Sequence, residues 1–183
     1  MSTSTLLTAE EFAEMSFDRP VELVRGEVVE MSRPGGEHGK VAMNTAFVLD
    51  SWARLGQDFE VLINDAGVVT ERGPDTVRGP DVFVVRRSRL PDNQIPKGNF
   101  LVPPEVAVEV RSPFQRWSDV IRKVAEYLTC GVGEVWVIDT QHRRVHVYRP
   151  NDEPDVLNES DELDSDLLPG LSCHVDELFR GIG

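Results

Sequence analysis

The chain has 183 residues, 40% of them hydrophobic and 28% charged, the proportions of a globular protein that folds on its own core without a metal or disulfide staple. Two cysteines, Cys130 and Cys173, with no C-x-x-C spacing exclude a disulfide framework and a cysteine zinc site, and the expected compartment is a reducing cytoplasm. Lys and Arg number 19 against 32 Asp and Glu, a net charge of −13, which excludes a broad basic nucleic-acid footprint at the level of net charge.

The charge is uneven: residues 151–183 hold ten acids and one base, while the first 150 residues carry only −4. No apolar run approaches the ~20 residues of a membrane span, and residues 1–12 lack the pattern of a signal peptide. One domain over residues 1–183 is expected from length.

In chain order, Thr8-Ala9-Glu10-Glu11 has capping-box spacing and predicts a short helix to about Met15. Residues 21–31 read as two strands turning at Arg25-Gly26. A loop at 32–36 precedes apolar residues at helical spacing (Val41, Thr45, Val48, Leu49, Trp52), which predict a helix over 37–55. Residues 59–70 read as two strands with a turn near 65–67, residues 71–79 as a turn-rich connection, and 81–86 as a strand after Pro80. Residues 88–103 read as an irregular loop.

Residues 104–111 form the nearly continuous apolar run of a strand covered on both faces. Ser118 is the expected cap of a helix that stops at Gly131. Strands over 134–139 and 144–149 follow, joined by a polar turn. The acidic, proline-containing stretch 151–166 is expected to be mobile, and a short helix lies near 175–179. Helices alternating with a partly buried mixed sheet predict an α/β (α+β) class.

Three side chains stand out. Glu109 lies in Val106-Ala107-Val108-Glu109-Val110, where an ionised carboxylate costs several kcal/mol unless paired or bound to metal; taken alone, it fits a strand end reaching water or an arginine better than a ligand. Asp81 opens the apolar strand Val82-Phe83-Val84-Val85. A solvated turn aspartate is common there, but two carboxylates at the ends of adjacent strands can also converge on one divalent cation, and Mg²⁺ takes one or two carboxylates and several waters. Lys123 is one of three lysines beside 16 arginines. Asp119, Lys123 and Tyr127 share a helical face. A surface ion pair explains the first two residues, whereas a role at water needs lysine, since arginine does not lose its proton.

Other signals fall away. Residues 34–41 approach a P-loop but lack its first glycine and its Ser/Thr. His142 and His146 straddle a turn and a strand rather than sharing a helix face. Trp52 and Trp136 suit the core, and Tyr127 reads as core rather than as a neighbour of the site.

Gly79-Pro80-Asp81-Val82, then PEVAVEVRS over 104–112, then Asp119, Lys123 and Tyr127, then GVGEVWVID over 131–139, taken with VELVRGEVVEMS over 21–32 and His38, resemble in order the Uma-two family of bacterial endonucleases, of the PD-(D/E)xK, restriction-endonuclease-like superfamily. The resemblance spans nearly the whole chain. It implies a restriction-endonuclease-like mixed sheet flanked by helices, with an added N-terminal hairpin, and a Mg²⁺-dependent DNA endonuclease in which Mn²⁺ substitutes. Asp81 and Glu109 would hold the metal, with the Val110 carbonyl as a further ligand, and Glu22 would add a contact. The superfamily lysine would lie two residues after Glu109, where this chain has Arg111; the resemblance shifts its role to Lys123 on the following helix. His38 would touch the site or merely cap its helix. A homodimer is expected, because two strand cuts suit two sites. Two other readings stay open: a non-catalytic descendant of the fold acting as an oligomeric binding or regulatory protein, and an enzyme on a smaller phosphodiester.

Overall fold

Strands β7 (Val106–Arg111) and β8 (Glu134–Asp139) have every residue buried and run parallel, with Val106 opposite Glu134. A parallel pair needs a crossover, and helix α3 (Trp117–Cys130) is that crossover. The computed structural model from which these relations are taken describes residues 6–64 and 66–182; Asp65, part of the turn expected at 65–67, lies outside them. The helix ends at Gly131, whose φ of 103° is open to glycine at little cost. Its N-cap is Arg116 with no side-chain bond, so Ser118 sits inside the first turn and is not the cap.

Around that pair the main sheet runs β10 (Asp155–Leu157), β9 (Arg144–Tyr148), β8, β7, β6 (Val82–Arg86), β3 (Phe59–Ile63), antiparallel except at β7–β8. Alternation along each strand divides its two faces. Val106, Val108 and Val110 of β7, with Val82 and Val84 of β6, join the core built with helix α2 (Gly36–Ala53) and the C-terminal residues Leu163, Leu168 and Phe179. Ala107 of β7 faces the other way, against Val120, Val124 and Tyr127 of α3. Trp52 and Trp136 are core residues, as expected.

On the α3 side lies a second sheet, β2 (Glu27–Glu30), β1 (Val21–Val24), β5 (Thr76–Arg78), β4 (Val68–Glu71). The hairpin β1–β2 turns at Arg25 and Gly26 with φ of 51° and 81°, the positive values of a type I′ turn. Strand β5 was not expected. Its three residues are buried in a stretch whose Gly and Pro residues read as turn, and its place is set by partners β1 and β4 on either side. Strands β3 and β4 do not form a hairpin; they belong to different sheets.

The acidic stretch 151–166 is not an unstructured tail. It carries β10, which extends the main sheet, and β11 (Glu162–Asp164), which pairs with β12 (Ser172–His174). Leu163 turns inward, 1% exposed, between exposed Glu162 and Asp164, so charge on the outer face coexists with burial on the inner one. Helices α1 (Ala9–Ala13) and α4 (Val175–Leu178) complete the described elements; α1 carries the capping box expected of Thr8 and Glu11. No helix of the described residues is long and apolar enough to cross a membrane.

Candidate active site

Strands β6 and β7 pair with Val82 opposite Val108 and Phe83 opposite Ala107. One step further along this register sets Asp81 opposite Glu109, and directly opposed residues of an antiparallel pair project to one face, with Cβ atoms about 5 Å apart. That face is the α3 side. The Val110 amide donates to Asp81 Oδ2 at 2.7 Å, which anchors the aspartate across the strands, and His38 Nε2 stands 3.3 Å from its other oxygen. His38 thus meets the site from the first turn of α2.

Glu109 is 6% exposed. The Lys123 ammonium donates to its Oε2 at 3.2 Å, and the Tyr127 hydroxyl donates to Oε1 at 2.8 Å. These two residues are four apart on α3, one turn, so a single helix face presents both donors to one carboxylate. Tyr127 is therefore both core and a direct partner of the site. Asp119 is not part of the constellation; it pairs with Arg122 on the exposed side.

Lys123 also donates to Glu22 Oε1 at 2.9 Å. The other Glu22 oxygen accepts from Arg78 at 2.7 Å, and Arg78 reaches on to Glu126 of α3 at 2.6 and 2.8 Å. Strands β1 and β5 are thereby clamped to the helix that carries the lysine. Sequence reasoning missed Arg78 because it sits in the stretch taken for a turn, and missed Glu126, whose spacing three residues from Lys123 was the available signal. Glu22 is brought to the cluster, yet both its oxygens are already engaged by cations. Arg111 turns away: it pairs with Asp139 at 2.9 Å and lies over the Trp117 ring, 4.8 Å from its centroid. His142 is held at 2.6 Å by Asp139 and His146 packs on Trp117, so the two do not meet as a ligand pair.

Burial sets the protonation of the cluster. It pushes Glu109 up to about 7; Lys123 opposes this while Asp81 and Glu22 add to it. Burial would lower the Lys123 ammonium, but the Glu109 and Glu22 carboxylates outweigh it and hold the pKa above the ordinary lysine value. Burial and the same carboxylates raise Tyr127 well above the usual phenol, so its hydroxyl remains a donor.

Asp81, Glu109, Glu22, His38 and Lys123 line one cavity of about 490 Å³, within the range of ligand sites. No three His, Cys, Asp or Glu side chains among the described residues are gathered as a ligand set. The donor set is a pair of carboxylates on adjoining strands, and that chemistry fits Mg²⁺, which keeps most of its water and takes one or two carboxylates.

The fold, a mixed sheet flanked by helices with an acidic pair and a lysine on one side of it, is of the restriction-endonuclease-like class. The chain belongs to the Uma2 family, described as "Putative restriction endonuclease", whose model matches residues 9–176. Among solved structures it is similar to "a putative nuclease belonging to DUF820" from Anabaena variabilis, with 23% identity, a TM-score of 0.81, and cover of 94% of this chain and 97% of that one. No curated protein matches it.

Proposed function

We propose that the protein is a Mg²⁺-dependent DNA endonuclease that hydrolyses phosphodiester bonds at the Asp81–Glu109–Lys123 cluster. The observation that carries this reading is the cross-strand pair Asp81 and Glu109 sharing one cavity with a buried lysine, 3.2 Å from Glu109. Family membership supports the nuclease class.

Asp81 and Glu109 would hold the metal. When bound, Mg²⁺ supplies a Lewis acid for the phosphoryl oxygens and acidifies water. Lys123, kept charged by two carboxylates, is a donor rather than a base: it orients the attacking water and offsets charge developing on the phosphate. Tyr127 fixes the rotamer of Glu109. Glu22 is better suited to hold Lys123 and Arg78 than to ligate metal, because a metal contact would compete with both cations. Mn²⁺ should replace Mg²⁺. A homodimer belongs to the same reading, and light scattering in solution tests it.

The test is cutting of supercoiled and of single-stranded circular DNA with Mg²⁺ or Mn²⁺. Cleavage should be abolished in Asp81→Asn and Glu109→Gln, each measured beside its melting curve. A purified wild type that cuts neither substrate would refute the reading in favour of a non-catalytic descendant of the fold, and acid variants that cut as well as wild type would refute the assignment of the site to Asp81 and Glu109.

A further inference from the structure

Loop 112–116, between β7 and α3, puts a phenylalanine where folding gives no reason for one. Phe114 is 97% exposed, although burying a side chain of this size is worth about 2 kcal/mol. It lines the same cavity as Asp81, Glu109 and Lys123, whose lining also includes apolar Val21, Met31 and Pro34. An aromatic face beside carboxylates that would hold a divalent cation matches a ligand that has a flat π-surface attached to an anionic group, the anion meeting the cation and not the carboxylates.

The charges around it narrow the ligand. A duplex footprint uses many uncommitted Lys and Arg contacts to phosphates on both strands. Here Arg86 and Arg89 hold Glu105, Arg87 holds Glu60, Arg122 holds Asp119, and Arg143 holds Glu159. Arg111 is spent on Asp139. Near the cavity, Arg33 on its lining and Arg116 at the end of the Phe114 loop are exposed and make no ion pair among the described residues. Two such cations near the cavity match one or two phosphates of a single strand; the other exposed cations that make no ion pair among the described residues, Arg25, Lys40, Lys97 and Arg144, do not line it.

We propose that Phe114 stacks on an unpaired base beside the reacting phosphate, so that the preferred substrate is single-stranded DNA. This rests on the nuclease reading above. Stacking on an exposed aromatic is tolerant of sequence because every base has a π-face, so selection is for an unpaired strand rather than for a particular base. A strand bound in this way needs one site per cut, and the two-site argument for a homodimer does not extend to it.

The test uses one oligonucleotide with 2-aminopurine as an internal base, single-stranded and annealed to its complement, with full-length wild type, Phe114→Ala and Phe114→Trp. Binding is read as quenching of 2-aminopurine with Ca²⁺ present, and cleavage separately with Mg²⁺. Wild type should quench and cut the single strand at least about 10-fold better than the duplex. Phe114→Ala should lose about 10-fold in affinity, in line with aromatic stacking, with its melting curve unchanged, while Phe114→Trp binds like wild type. The slope of log K against log salt should be about −1.4, the value for two phosphates of a single strand. Equal or better cutting of the duplex, or Phe114→Ala binding like wild type, overturns the proposal. If the Phe114-dependent quench is present and cleavage is absent, the stacking role stands and the nuclease reading falls.

Discussion

Replacing Lys123 by methionine keeps the length of the side chain and removes its charge. Glu109 and Glu22 would then share a buried space without their common counter-ion, where Lys123 now donates at 3.2 and 2.9 Å. Removing one partner of a buried pair costs about 3–5 kcal/mol. For a chain of this size each kcal/mol moves the melting temperature by roughly 2–4 °C, so K123M should melt about 10 °C below wild type by circular dichroism in EDTA at alkaline pH, above the value of about 7 to which burial raises Glu109. The double variant E109Q/K123M removes one of the stranded charges and should melt above K123M, giving a coupling energy of about 1 kcal/mol or more in the cycle. A K123M protein that melts within about 2 °C of wild type would refute the counter-ion argument and move Lys123 out of the cluster.

Tyr127→Phe removes the hydroxyl that donates to Glu109 at 2.8 Å; it should cost about 1.5–3 kcal/mol in urea unfolding, as a bond to a charged acceptor, and lower kcat for DNA cleavage more than it raises KM. Arg78→Met leaves Glu22 with Lys123 as its one cation and takes from Glu126 its only ion-pair partner among the described residues, and should destabilise by about 3–5 kcal/mol, measured in the same assay; no change would mean that the β1–β5 clamp is idle. Asp75 accepts from the Ala9 amide at 2.8 Å, the Gly73 amide and Arg72, and these bonds outweigh burial to hold its carboxyl below the usual range. Its contribution to stability is therefore full above the unfolded carboxylate value and is lost as pH falls through the lower folded one. Asp75→Asn should be destabilised at pH 7, and the gap to wild type should close in acid melts; a gap that is constant down to low pH would refute this. Truncation after Pro150 should abolish cooperative unfolding, because Leu163, Leu168, Val175, Leu178 and Phe179 belong to the core beneath the main sheet.

What was legible in the sequence follows from chemistry that is visible locally. Asp81 and Glu109 stand out because charge is expensive in apolar strands, and Lys123 because lysine is rare in this chain; all three line one cavity. The hairpin and α3 with its Gly131 stop were readable from turn and cap residues. Strand β5 was not, because three residues among Gly, Pro and Asp carry no pattern, and only the flanking strands supply its hydrogen bonds. The strands of the C-terminal segment were not legible because its acids dominate a reading by composition, while Leu163 and Cys173, paired across β11 and β12, bury the opposite side. For Tyr127 the periodicity reported burial, and burial does not tell where a hydroxyl at the ring's edge is directed.

The clamp of Glu22, Arg78 and Glu126 bears on how the protein comes to maturity. Its members are separated by more than a hundred positions from first to last, so closure must wait for distant segments to find each other, a slow event in polypeptide self-organisation. Until β1 and β5 arrive, the ammonium on α3 is without one of its two anions. The ion-pair cluster is thus incomplete in any partly assembled chain, and a newly made polypeptide closes it only when its earliest strands have docked.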